Sequence, residues 1–182
     1  GEKVGDYADD KTGIPVISLY GAKRKPSEKD LNEIDVLIFD IQDVGTRFYT
    51  FISSLEAFIE SAIEFNKLLI ILDRPNPNGN YVDGPILDTA FRSFIGMQPV
   101  PIVYGMTIGE YAKMLIGEKW IKRPDPKSEF KLVVIPCKNY THKSNYILPV
   151  RPSPNLPDIQ SIYLYPTTCL FRSEEHTSEL QS

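Results

Sequence analysis

Two apolar, β-branched runs separated by one amphipathic stretch constrain this chain most. Ile34–Phe39 (IDVLIF) and Leu68–Leu72 (LLIIL) lead directly into Asp40 and Asp73. Between them Phe48, Phe51, Ile52, Leu55, Phe58, Ile59, Ala62 and Ile63 recur at spacings of three and four, which predicts a helix over Arg47–Asn66. Strand, helix and strand within about 40 residues make a βαβ unit, with parallel strands and a right-handed crossover. The apolar runs predict strands buried on both faces, as in a parallel sheet. Lys131–Pro136 (KLVVIP) predicts a third such strand. The fold class read from these elements is α/β.

Turn and cap residues punctuate the rest. Gly13–Gly21 (GIPVISLYG) reads as a short strand between glycines, and Ser27 as the cap of a short helix ending near Asn32. Asp73–Asn80 (DRPNPNGN) is a loop, because Pro75 and Pro77 fit neither a central strand nor a helix interior. Thr107-Ile-Gly-Glu110 is a capping box that opens a helix to about Ile116. Lys122–Glu129 is a polar, proline-containing loop, and Pro149–Pro157 carries four prolines in an extended segment.

Composition bounds the function classes. The chain has 182 residues, 20 Lys+Arg and 24 Asp+Glu, a net charge of −4, and 42% hydrophobic residues. That balance argues against a nucleic-acid module, which carries a basic stripe. No apolar run is long enough for a transmembrane helix, which needs roughly 18 residues or more. Cys137 and Cys169 lack metal-ligand spacing and read as small buried hydrophobes. Arg172–Ser182 (RSEEHTSELQS) resembles a common sequencing adapter translated in frame and is expected to be an artefact. The tail holds one Arg and three Glu, so the other 171 residues carry 19 basic and 21 acidic groups and a single histidine, His142.

The polar residues collect after the strands. Asp40-Ile-Gln42-Asp43-Val-Gly-Thr-Arg47 follows the first, and Asp73-Arg74-Pro-Asn76 the second. Open α/β sheets bind ligands outside the carboxyl ends of their strands, so these loops should converge on one cleft. Aspartyl-phosphate chemistry wants an Asp where Gln42 stands. No Gly-rich dinucleotide or P-loop motif is present. Nucleophilic triads and zinc sites would have only His142 to draw on, and it reads as a surface or hydrogen-bonding residue. Carboxylate chemistry remains, with Asp43, Asp73, Asp83 and Glu110 as candidates. Glycoside hydrolysis uses two carboxyls flanking one bond. Asp83 and Glu110 also have structural readings, as a turn Asp and a helix-capping Glu.

Eight segments in order carry a family resemblance: Thr12–Gly21, Phe39–Thr50, Leu72–Pro77, Val82–Pro85, Ser93–Gly96, Gly105–Glu110, Pro152–Asn155 and Tyr165–Phe171. Over residues 1–171 the chain resembles the exo-acting β-N-acetylmuramidases of peptidoglycan turnover, long catalogued as a domain of unknown function. The resemblance implies a Rossmann-like, mostly parallel α/β domain over residues 1–120 and the start of a smaller α+β domain over 121–171. It implies an active site between the two, no cofactor and no metal. It implies release of N-acetylmuramic acid from the non-reducing end of peptidoglycan-derived saccharides, and a secreted or periplasmic location.

By the same resemblance, Asp40, Gln42, Asp43, Arg47, Tyr49, Asp73, Arg74, Asn76, Thr107, Glu110 and Asn155 bind substrate, and Asp83 is catalytic. An Arg suits the lactyl carboxylate of muramic acid, which it can hold with two parallel hydrogen bonds. Family members carry an upstream Gly-Pro-Glu-His-Gly motif with a catalytic Glu, and further motifs after Phe171. Many have Glu in place of Asp83 and His in place of Tyr104. The chain is therefore expected to be a piece of a longer enzyme, inactive alone, with part of its sheet uncovered. Two alternatives stay open: a non-catalytic domain binding peptidoglycan sugars, and a hydrolase of another glycan.

Overall fold

A computed structural model of the chain describes residues 5–19, 21, 23–122 and 130–178. The elements in order are β1 (Tyr7–Ala8), β2 (Pro15–Val16), α1 (Glu28–Leu31), β3 (Val36–Phe39), α2 (Phe51–Glu64), β4 (Leu68–Leu72), α3 (Ile108–Gly117), β5 (Leu132–Ile135) and α4 (Ile159–Ser178). β3, β4 and β5 form a parallel sheet with β4 in the middle, in the registers Leu37↔Leu69 and Leu69↔Leu132. β1 and β2 pair antiparallel as a separate hairpin, so the Gly13–Gly21 strand is present but short. Residues 123–129 of the expected polar loop, Tyr20, and the last four residues of the tail lie outside the described residues.

The capping signals are realised. Ser27 and Asp30 form a reciprocal box at α1, and Thr107 and Glu110 do the same at α3. α2 starts at Phe51 and not at Arg47. Thr46 forms an isolated bridge with Val103, and the Arg47 amide donates to the Ile102 carbonyl, so this stretch is held extended before the helix begins. β5 lies beyond residue 120 yet pairs with β4, so the sheet draws on both expected domain stretches. α4 opens with Asp158, whose carboxylate accepts from the Ser161 amide.

The strands are not buried on both faces. α2 and α3 pack against each other and against one face, where Leu37, Phe39, Leu69 and Ile71 join Leu55, Ile59 and Leu115 in the main core. On the other face Val36, Leu72, Val133 and Ile135 are exposed, and Ile38 is 58% exposed. Both crossover helices fall on the same side, and among the described residues nothing covers the opposite one. The apolar run was a true strand signal, but its second face has no cover here. A second, smaller cluster joins Val44, Ile102 and Val103 to Leu156, Ile162, Tyr165 and Cys169, which seats α4 against the loops after β3 and before α3.

Two carboxyls sit inside this framework. Asp43 accepts from the Tyr104 hydroxyl and from the Gly45 amide at 2.7 Å, and burial pushes its pKa up to about 6. Glu56, on α2, accepts from Gln98, and burial pushes it up to about 7 despite that bond.

Two outcomes follow from the packing. Ile38→Thr and Val133→Thr, on the open face, should raise the solubility of the 182-residue chain while changing its stability by less than about 1 kcal/mol, whereas Leu69→Ala should cost about 3 kcal/mol in denaturant melts. The pH dependence has a fixed sign. A raised folded-state pKa means that the fold holds the proton more tightly than the unfolded chain does. The stability due to Asp43 and Glu56 is therefore full below about pH 4 and is lost as pH rises through about 6 and 7. Asp43→Asn with Glu56→Gln should flatten that decline, by on the order of 2 kcal/mol per site, when melts at pH 5 and pH 8 are compared.

Candidate active site

Because the sheet is parallel, β3, β4 and β5 all end at the same edge, and the loops after them meet there. Asp73, directly after β4, ties this edge to α3. Its Oδ2 accepts from Thr107 Oγ1 at 2.7 Å, and its Oδ1 from the Gly109 amide at 2.8 Å and the Arg74 amide at 3.1 Å. A carboxylate on the first amides of a helix is held by hydrogen bonds and by the helix dipole together. Asp73 and Thr107 therefore brace the site.

Asn76 and Gln42 join the β3 and β4 loops. Asn76 Nδ2 donates to the Met106 carbonyl at 2.8 Å, and its Oδ1 accepts from the Asn78 amide at 2.8 Å. Asn78 in turn donates to the Val44 carbonyl. Gln42 Nε2 donates to the carbonyls of Asp43 and Pro75, both at 2.8 Å. Gly45 lies against the Asn76 amide with φ +77°. A Cβ there would meet Asn76 Oδ1 at 2.1 Å, so only glycine fits.

On this base stand one open ion pair and one open Glu–His hydrogen bond. Arg74 Nε donates to Asp40 Oδ1 at 2.6 Å, with side chains 40% and 42% exposed. The bond from Arg74 holds the Asp40 carboxyl below the ordinary range. The terminal nitrogens of Arg74 take no acceptor among the described residues, so its bidentate edge is open. Glu110 Oε1 meets His142 Nε2 at 3.0 Å, and His142 Nδ1 lies 2.8 Å from the Gly79 carbonyl. Burial opposes ionisation of Glu110, but the Thr107 amide and His142 outweigh it and lower its pKa; the bond to Glu110 raises that of His142.

The other expected residues divide. Arg47 is 6% exposed: one terminal nitrogen donates to the Val100 carbonyl, and its guanidinium stacks over Phe48. Asp43 is buried with Tyr104. Tyr49 donates to the Pro152 carbonyl at 2.9 Å and meets Tyr165 edge-on, linking this loop to the Pro152–Asn155 segment. Asn155 itself is exposed, its amide on Ser153 Oγ. Asp83 is exposed on an isolated bridge to Val103, its Oδ1 accepting from the Gly84 amide at 2.7 Å. Val103 also bridges Thr46, so Asp83 and the Thr46–Arg47 turn flank one extended segment. Among the described residues no group of three or more His, Cys, Asp or Glu could hold a metal ion.

His142 and Tyr140 were missed as site residues. The Tyr140 hydroxyl donates to the Asn76 carbonyl at 3.1 Å, and the Cys137 thiol donates to the Asp73 carbonyl. All three belong to the loop after β5. The rule that pointed to the loops after β3 and β4 applies equally to this third strand and would have found them.

Comparison with known proteins follows the same residues. The family described as exo-β-N-acetylmuramidase NamZ, N-terminal, matches residues 1–160. The peptidoglycan β-N-acetylmuramidase NamZ of Bacillus subtilis (strain 168) is 45% identical over 175 residues, covering 93% of this chain but 41% of that protein. A crystal structure of a DUF1343 family protein from Bacteroides fragilis NCTC 9343 is 52% identical, with a TM-score of 0.82 over 91% of this chain and 44% of its own. Another from the same organism is 38% identical, with a TM-score of 0.83 over 90% and 43%. The chain thus spans less than half the length of these relatives. With the parallel sheet and the polar strand-end loops in place, the match over residues 1–160 means that the chain belongs to the exo-β-N-acetylmuramidase NamZ family, in its N-terminal region.

Proposed function

We propose that the whole protein containing this chain is a glycoside hydrolase that releases N-acetylmuramic acid from the non-reducing end of peptidoglycan-derived saccharides, and that this chain supplies much of its sugar-binding surface. The carrying observation is the open Asp40–Arg74 pair where two parallel strands end, beside Glu110–His142. Arg74 takes the lactyl carboxylate on its free bidentate edge. Asp40 and Glu110 take sugar hydroxyls, as do Tyr49 and Asn155 on the segments that the Tyr49–Pro152 bond links, while Gln42 has only its Oε1 to offer because its Nε2 is engaged by the Asp43 and Pro75 carbonyls. Asp43, Arg47, Asp73, Asn76 and Thr107 act by holding these groups in place.

Asp83 is the catalytic candidate, because it is exposed and among the described residues its carboxylate is bound by the neighbouring Gly84 amide alone, whereas Asp40, Asp73 and Glu110 are tied to other side chains or helix amides. One open carboxylate supports half of a two-carboxyl mechanism. The same observation favours a second reading for the chain by itself: it binds peptidoglycan sugars without turning them over.

The test is turnover of a chromogenic muramide by the whole protein. Asp83→Asn should slow it by about 100-fold or more, the loss of one acid–base group. Arg74→Ala should raise KM by about 10-fold with a smaller change in kcat, the loss of a charge-assisted contact. Muropeptide binding without turnover in the whole protein would leave only the sugar-binding reading. Equal turnover of a glucosaminide would remove the muramic acid specificity.

A further inference from the structure

The loop after β5 grips the loop after β4 at three points. The Cys137 thiol donates to the Asp73 carbonyl. The Tyr140 hydroxyl accepts from the Asn76 amide at 3.3 Å and donates to the Asn76 carbonyl at 3.1 Å. His142 Nδ1 lies 2.8 Å from the Gly79 carbonyl. The packing is close: a Cβ on Gly79 would meet the Tyr140 hydroxyl at 2.5 Å. Of these three residues, His142 is the one whose bonds, among the described residues, continue to α3, with Nε2 3.0 Å from Glu110 Oε1. One imidazole thus joins the turn that carries Asn76 to the helix end that carries Glu110.

Both ring nitrogens of His142 face acceptors that have no proton to give. Gly79 offers a carbonyl. Glu110 is a carboxylate, because its Oε2 accepts from the Thr107 amide at 2.9 Å in the first turn of α3, where the free amides and the helix dipole favour the anion. A neutral imidazole has one N–H and one lone pair. It would satisfy one acceptor and set its lone pair against the other. The imidazolium bonds both. Glu110 is the charged group that faces the ring, and the β4 loop meets it with an uncharged carbonyl. Tyr140, its ring centre 6.0 Å away, stays neutral because burial pushes its hydroxyl up.

We propose that His142 is a positioning residue of the sugar site, an imidazolium clasp that holds Glu110 and the Asn76–Gly79 turn together. The proposal rests on the muramic acid reading above, in which Glu110 takes a sugar hydroxyl. With His142 on Oε1 and the Thr107 amide on Oε2, each carboxylate oxygen keeps a lone pair for that hydroxyl. Loss of the ring proton turns one of the two His142 bonds into a repulsion, and either Glu110 or the turn is released. The bond to Glu110 raises the pKa of His142. The clasp is therefore closed below that raised value and opens as pH rises through it.

Two measurements on the whole protein test this. In NMR titrations the His142 ring, assigned by the loss of its signal in His142→Gln, should keep its proton to above about 6.5, the ordinary histidine value, and Glu110→Gln should lower that midpoint. With a chromogenic muramide, KM should rise about 3- to 5-fold from about pH 6 to about pH 8.5, the size of a part-exposed pair, with a smaller change in kcat. His142→Gln should show the higher KM at both pH values. His142→Arg, a permanent planar cation with donors for both acceptors, should show the lower one at both. The stability lost through Asp43 and Glu56 over the same range reduces the amount of folded enzyme, and so apparent kcat but not KM. A ring midpoint at or below the ordinary value, or wild-type KM in His142→Gln at about pH 6, would overturn the proposal and leave the muramic acid reading standing. Wild-type protein without affinity for the muramide at either pH would overturn that reading and, whatever the ring's midpoint, the positioning role with it.

Discussion

Both carboxylate oxygens of Asp73 are committed to the N-terminus of α3, and the geometry of the strand-end site depends on that commitment. The aspartate is the first residue after β4, so its bonds to Thr107 and Gly109 bring the mouth of a helix against the end of the central strand. The approach is close enough that a Cβ on Gly109 would lie 2.8 Å from the Asp73 carboxyl carbon. Glu110, one residue further into the helix, is thereby brought to the same edge as Arg74, one residue further along the loop. The Asp40–Arg74 and Glu110–His142 pairs of the site are each one position removed from a bond that Asp73 receives.

That arrangement was partly legible in the chain. The β4 run, the turn residues after it and the Thr107–Glu110 box each carry a local signal, and local signals are what a sequence states directly. The position of α3 against Asp73 rests on contacts more than 30 residues apart, which no periodicity encodes. The same limit explains the helix start. The apolar stripe includes Phe48, but Thr46 and Arg47 are paired with residues 102 and 103, and a tertiary ladder overrides the helical pattern there. For β3, an apolar run told strand from loop but not whether one face or two would be covered. His142 was read as a hydrogen-bonding residue, which it is; its partner Glu110 is 32 residues away.

The turn between β3 and α2 shows how far its backbone is determined by its surroundings. Asp43 Oδ1, Thr46 Oγ1 and Arg47 Nε are buried without hydrogen-bond partners among the described residues. Each such atom costs about 1–3 kcal/mol. The turn keeps its shape because backbone locks hold it from three sides: Asn78 on the Val44 carbonyl, Asn76 against Gly45, and Val103 paired with Thr46. Those locks, together with the bonds of Asp43 Oδ2 to the Gly45 amide and of an Arg47 terminal nitrogen to the Val100 carbonyl, offset the atoms left unpaired.

This bears on what separates a binding residue from a brace. Arg47 and Arg74 are the same residue type, each within a few positions of a strand end, and both were read as sugar ligands. Arg47 is 6% exposed, its guanidinium turned to the Val100 carbonyl and the Phe48 ring, so reaching a solvent ligand would break the contacts that hold the turn. Arg74 gives only its Nε to Asp40 and is 40% exposed, so a carboxylate can meet its outer edge with no rearrangement. A bidentate contact is worth most when the guanidinium is already fixed and no protein bond must be given up to form it. Of the two arginines, Arg74 alone meets both conditions, and the Asp40 bond that fixes it is also what leaves its outer edge free.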